Sequence, residues 1–233
     1  IKMLIEGAAK DGVKKIFVHP LLDGRDVPPL SGIKYVKQLN QHLAYLEEEY
    51  DCEATIASCG GRMHVTMDRY ESDWRIVQRG WEAHVHGKVV EEDVKEGYSG
   101  YFTSAKEAIE TARDVYNLEG DQYNPAFVIV DADGNPVGKG QDGDAYVNFN
   151  FRGDRAIEIT KAFILEEFPH FDRGEKPDTE YAGLCLYDEE EEIPPNYLVP
   201  PPVFSNTSGK FFCAMGINSF AIAETHKFGH VTY

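Results

Sequence analysis

Apolar positions along this chain follow two alternating rhythms, one with helical spacing and one of short unbroken runs. Leu4, Ile5 and Ala8 open on a helical spacing, and Ile16-Phe17-Val18 then forms a short β-branched and aromatic run ended by Pro20. Past the loop LLDGRDVPPLSG, the spacing of Val36, Leu39, Leu43 and Leu46 predicts a second helix, and Ala54 to Ala57 a second strand. That strand runs into Cys59-Gly60-Gly61-Arg62, followed by a helix carrying Trp74, Val77 and Trp81. Ser104-Ala105-Lys106-Glu107 fits a capping box opening another helix. Phe127 to Val130, the turn DADGNP and a return through Val137 predict a hairpin. Ala145 to Phe151 alternates, with Val147, Phe149 and Phe151 on one face, before a helix that buries Ala156, Ile159, Ala162 and Phe163. Residues 169 to 210 break the rhythm: acidic and rich in proline, they read as an exposed wrapping segment, with Phe220 to Ala223 as a last strand. The order predicts an α/β fold, a largely parallel sheet flanked by helices with an added hairpin.

Charge narrows what such a fold could bind. The 233 residues suffice for one large domain or two small ones. Lys+Arg number 23 against 40 Asp+Glu, a formal net charge of -17. A field of that sign repels nucleic acid and anionic membrane, so any anion bound here needs cations gathered at one spot. No apolar run is long enough to span a bilayer, and the N-terminus lacks the apolar core of a signal peptide. Cys52, Cys59, Cys185 and Cys213 form no C-x-x-C pair and read as reduced, cytoplasmic thiols. The chain opens at Ile1, without methionine and already inside a helical pattern, so the expectation is a piece of a longer protein.

In α/β folds, ligands sit beyond the carboxyl ends of the strands. Arg25 and Asp26 follow the strand at 16–18, and Arg62 follows the one at 54–57, with Arg69 a loop later. Arg152 and Arg155 follow the strand ending at Phe151, and Lys227 follows Phe220 to Ala223. Arginine suits phosphate and carboxylate because its planar fork donates two parallel hydrogen bonds and keeps its charge. Arg152 and Arg155 gain further positive potential from a strand-to-helix junction. Asp26 is the acid inside this basic group, placed to take a hydroxyl proton or merely to shape a turn.

Other motifs carry less. Gly138 to Gly143 matches G-x-G-x-x-G, but a strand follows where a dinucleotide site needs a helix. Asp131, Asp133 and Asn135 imitate a calcium loop, yet Pro136 occupies the position that must be glycine. His84 and His86 lack further ligands and read as solvated or core-edge residues. No G-x-S-x-G elbow supplies a nucleophile.

LLDGRDVPP (21–29), GGRMHVTMDRYESDW (60–74), FVIVDADGNPVGKGQDGDAYVNFNFRGDR (127–155) and AETHKFGHVTY (223–233) closely resemble cofactor-independent phosphoglycerate mutase. The spacing from Arg62 to Arg69 resembles its plant and trypanosomatid branch. The resemblance implies the inserted, substrate-holding domain over 1–233. It also implies Arg25, Asp26, Arg62, Arg69, Arg152, Arg155 and Lys227 as substrate-binding residues, with Asp26 the catalytic proton shuttle. A phosphatase-like domain of the same polypeptide, absent from this stretch, would carry the serine and two manganese or magnesium ions. No metal ligand, and not the family's substrate histidine, is expected in this chain. The implied whole is a monomeric cytoplasmic isomerase of glycolysis and gluconeogenesis interconverting 2- and 3-phosphoglycerate. Two rival readings stand beside it: a non-catalytic phosphometabolite-binding module, and a cap domain of a related metal-dependent phosphatase or phosphopentomutase.

Overall fold

The computed structural model describes residues 1–222, in two compact units, Ile1–Val199 and the part from Pro200 onward. Lys227, Ala223 and the motif at 223–233 lie outside the described residues.

Within the first unit, β1 (Lys15–Val18) runs parallel to β3 (Glu53–Ile56), pairing Ile16 with Ala54 and Val18 with Ile56. Each strand breaks and resumes, as β2 (Leu21–Leu22) and β4 (Ser58–Gly61), again parallel, while the Ala57 amide donates to the Val18 carbonyl across the break. Next to β4 lies β6 (Phe127–Ile129), antiparallel, and beyond it β5 (Tyr101–Phe102), parallel to β6. Helices α1 (Lys2–Lys10), α2 (Gly32–Glu49) and α4 (Ala105–Tyr116) supply the rest of this core. Val36, Leu43 and Leu46 of α2 and Ile109 of α4 are buried with Ile16, Ile56 and Phe127. Removing one such leucine side chain costs about 2–5 kcal/mol, transfer and cavity together. Ser104 stands at the start of α4, but its side chain makes no capping bond; the expected capping box does not form. The expected hairpin does, through an antiparallel bridge between Val130 and Pro136 and a bond from the Val137 amide to the Ile129 carbonyl.

A second core joins α3 (Trp74–Trp81), a π-helical turn (Glu82–His86), α5 (Ile157–Ile164) and a parallel sheet of β7 (Ala145–Asn148), β8 (Glu180–Cys185) and β9 (Tyr197–Val199). Val77, Trp81, Val85, Ile159, Phe163 and Tyr181 fill it. Arg173 closes α5 by donating to the carbonyls of Ala162, Leu165 and Glu166.

Two expectations change here, and the alternation at 145–151 gains a side. The acidic, proline-rich stretch does more than wrap the surface: it contributes β8 and β9, and Tyr181 is buried. Val147, Phe149 and Phe151 are exposed, whereas Tyr146 is half-buried against the core and donates to the His84 carbonyl. Residues 217–222 form no strand, and Phe220 and Ile222 are exposed. Among its described residues, the second unit contains one short helix, α6 (Ser208–Ala214), whose Thr207 cap accepts from the Lys210 amide.

A row of polar groups, buried except for half-buried His19, ties the halves of the first unit together. His19 Nδ1 lies 2.7 Å from Ser58 Oγ, Ser58 Oγ 2.7 Å from His84 Nδ1, and His84 Nε2 2.8 Å from Thr66 Oγ1. Burial pushes His19 down to about 4 and His84 well below its ordinary value, so both imidazoles are neutral near pH 7. His84 is therefore a bonded core residue, deeper than the solvated or edge position expected of it.

Candidate functional site

The site begins where β2 ends. Asp23 directly follows Leu22, and its Oδ1 accepts from the Arg25 amide (3.1 Å) while Oδ2 accepts from the Asp26 amide (3.2 Å). Arg62 Nη1 lies 3.3 Å from the same Oδ1. Burial raises the Asp23 carboxyl, but the Gly24, Arg25 and Asp26 amides and Arg62 outweigh it and hold the group below its ordinary value. Asp23 thus turns the loop so that Arg25 and Asp26 stand in solvent, and it aims Arg62 at their base.

Arg62 enters from the end of β4, its amide donating to the Leu22 carbonyl at 3.0 Å. A Cβ on Gly61 would sit 2.4 Å from the Gln122 backbone, so only glycine lets the chain pass here and deliver the arginine. The Arg62 side chain is 12% exposed. Its buried Nε has no acceptor among the described residues.

Arg69 rides on a contorted loop in which Thr66, Tyr70 and Glu71 all have positive φ. Such backbone persists only where surrounding bonds enforce it. The enforcing group is buried Asp68, accepting from Ser72 Oγ at 2.6 Å and from the Asp73 amide at 2.7 Å. Arg69 Nη1 lies 3.7 Å from Asp154 Oδ2. Arg155, at the 3-10 turn before α5, donates to the Met67 carbonyl. Burial, followed by the charges of Arg69 and Arg62, pulls the Arg155 guanidinium below its ordinary value. Two arginines of the β4–α3 connection and one from the start of α5 therefore share one field, which an anion would relieve. Arg152 is exposed, 3.9 Å from Asp26 Oδ2 and over the Phe151 ring.

The structure thus groups Arg62, Arg69 and Arg155, links Arg152 to Asp26, and leaves Arg25 on the Asp23 loop without a recorded side-chain partner among the described residues. Lys227 lies outside them. Sequence reasoning missed Asp23, Asp68 and Glu158. An aspartate two residues before an exposed arginine is a turn signal that would have found Asp23; no local signal marks the other two.

The discounted motifs stay silent. Asp131 Oδ1 accepts from the Asp133 and Asn135 amides, an internal turn. The glycine-rich stretch borders a cleft of about 200 Å³ with His86, Lys139, Gln141 and Glu175, sharing no residue with the arginine group. Among the described residues, no three His, Cys, Asp or Glu side chains are placed to hold a metal ion, so the donor set here does not fit one. No described helix is long and apolar enough to cross a membrane.

Comparison with known proteins bears on this geometry. The family described as "BPG-independent PGAM N-terminus" matches residues 1–189. A 2,3-bisphosphoglycerate-independent phosphoglycerate mutase of Trypanosoma brucei brucei is 48% identical over 233 residues, 100% of this chain and 40% of the relative. The enzyme of that name from Prunus dulcis is 48% identical over 231 residues, 99% of this chain and 45% of the relative. Among solved structures, a Leishmania mexicana phosphoglycerate mutase crystallised at low cobalt concentration superposes with a TM-score of 0.84 at 49% identity, covering 100% of this chain and 40% of that one. The chain accordingly spans less than half the length of these relatives.

Proposed function

The chain belongs to the BPG-independent phosphoglycerate mutase N-terminus family, and on that footing we propose that it is the substrate-holding domain of an enzyme interconverting 2- and 3-phosphoglycerate. The observation that carries the reading is the shared field of Arg62, Arg69 and Arg155, built from two distant segments of a chain whose net charge is -17. A phosphoglycerate offers two anionic ends, and forked donors on separate segments match both. Arg25 and Arg152 are exposed, and the family likeness adds Lys227, outside the described residues, to the substrate-binding set. Asp26, 3.9 Å from Arg152, takes up and returns the proton of a glycerate hydroxyl. The arginines keep hold of the acid while it turns, so the step remains intramolecular.

Phosphoryl transfer itself belongs, in this reading, to a serine and two manganese or magnesium ions on a phosphatase-like domain of the same polypeptide, the ions neutralising charge on the phosphoryl group. The whole is then a monomeric cytoplasmic enzyme of glycolysis and gluconeogenesis. Two measurements test the assignment. Calorimetry on this chain alone should show 3-phosphoglycerate binding without turnover; turnover by the metal-stripped chain overturns the division of labour. In the full-length enzyme, Arg62→Ala should lower kcat/KM by roughly 100-fold or more. Near-wild-type turnover removes Arg62 from the site.

A further inference from the structure

Glu158 lies on the first turn of α5, almost wholly buried, three residues past Arg155. Its Oε1 accepts from the Glu71 amide at 2.9 Å, on the loop that carries Arg69. Its Oε2 is buried and receives no hydrogen bond among the described residues. The group beside it is another acid, Asp68, whose two oxygens are already occupied by Ser72 and Asp73. Two carboxylates in contact repel strongly when both are ionised, and one proton between them turns repulsion into a hydrogen bond. A proton on Glu158 Oε2, donated to Asp68, satisfies the orphaned oxygen and leaves Asp68 ionised.

We propose that Glu158 is a positioning residue: as a neutral carboxyl bridging Asp68 and the Glu71 amide, it fastens the Arg69 loop to the helix entered through Arg155. The bridge holds a loop with three positive-φ residues in the one shape that presents Arg69. Burial, with the charges of Asp68 and Glu71, pushes the Glu158 carboxyl up to about 7. Lys161, one turn along α5, lies 3.9 Å from Glu71 and 3.0 Å from Glu191 and so is engaged elsewhere. Arg155 acts on Arg69, Arg62, Asp154 and Asp68. With the folded value above the unfolded one of 4.5, the stabilisation is complete below the unfolded value and is lost as pH rises through about 7. Loosening of the Arg69 loop on the alkaline side of neutrality follows.

The substrate arm of the test rests on the phosphoglycerate reading; the exchange arm does not. In the full-length polypeptide, Glu158→Gln keeps a neutral bridge, whereas Glu158→Ala removes it. At pH 6.5 the Gln variant should bind 3-phosphoglycerate within about twofold of wild type, and the Ala variant roughly tenfold or more weakly. Between pH 6 and 8.5 wild type should weaken relative to the Gln variant measured at the same pH. The protection factors of residues 66–73, with the intrinsic rate at each pH divided out, should fall in the Ala variant, and in wild type at pH 8.5, but not in the Gln variant. Identical pH profiles for wild type and Gln, or unchanged exchange in Ala, overturn the proposal; should the Ala variant fail to fold, the wild-type and Gln comparison decides alone. If Arg69→Ala and Arg155→Ala leave 3-phosphoglycerate affinity unaltered, the substrate reading fails, and hydrogen exchange still decides the role of Glu158.

Discussion

Arg155 donates to the main-chain carbonyl of Met67, a partner 88 residues earlier and two positions before Arg69. The bond uses one guanidinium nitrogen, and the charges of Arg69 and Arg62 act on the same group. On the proposed reading, one side chain sets a loop and also contacts the substrate. Lysine could do one of these but not both, since its ammonium has no second, rigidly placed nitrogen. Arg155→Lys in the full-length enzyme should therefore lower kcat/KM by about 100-fold despite the retained charge. A steady-state assay showing Arg155→Lys close to wild type would refute this dual role.

Guanidinium groups that repel one another make the free protein less stable than the liganded one. The midpoint of thermal unfolding should rise with 3-phosphoglycerate or inorganic phosphate. At a ligand concentration of 100 times Kd the gain is about 2.7 kcal/mol. Chloride at matched ionic strength should do far less, and Arg155→Ala should blunt the phosphate response. Equal shifts for chloride and phosphate would reduce the cluster to a salt effect.

The buried imidazoles make a separate prediction in acid. His19 has a folded value near 4 against an ordinary 6.5, and His84 is shifted the same way. Their contribution is present above the unfolded value and disappears as pH falls from about 6.5 toward 4. Glu158 pulls oppositely across much of that window, so the difference between wild type and His19→Asn isolates the effect. Urea unfolding at pH 7.5 and pH 5 should show wild type losing more stability than the variant. Parallel losses would remove the histidines as the cause.

Asp121 is fully buried and accepts a two-pronged contact from Arg113, 2.9 Å at each oxygen, together with the Gly32 amide at 2.7 Å. Asp121→Ala leaves the Arg113 charge without its partner and strips an amide at the start of α2, for a loss of about 3–5 kcal/mol in denaturant unfolding. A loss below about 1 kcal/mol would mean that water reaches the arginine and replaces the carboxylate.

The arginines were legible because each lies past a strand end, where α/β folds place ligands; their convergence spans two sheets, since β7 pairs with β8 and not with β2 or β4. Their anchors were not. Asp68 and Glu158 are joined across the fold, and nothing within a few residues of either marks the pairing. Alternation in Val147, Phe149 and Phe151 was visible, but its sidedness was not: Tyr146 is packed inside because its hydroxyl finds the His84 carbonyl. β8 was hidden because Gly183 and the surrounding acids mask the strand pattern in Tyr181 to Cys185. The family likeness of the long motifs carried the substrate assignment, which strand-end reasoning alone leaves as a generic anion site.

Ser58 has a single hydroxyl hydrogen and an imidazole on either side of it. If that hydrogen points to His19, His84 must donate from Nδ1 and accept from Thr66; if it points to His84, His19 donates and Thr66 accepts. With both rings neutral and the Ser58 hydrogen kept within the row, these are the two arrangements that make every bond. The row therefore has a polarity and reverses as a whole, each ring's tautomer dictating the other's across the sheet. The Ser58 and Thr66 hydroxyls should consequently be coupled through His84, and a double-mutant cycle reads that coupling directly; strictly additive losses would deny the shared polarity.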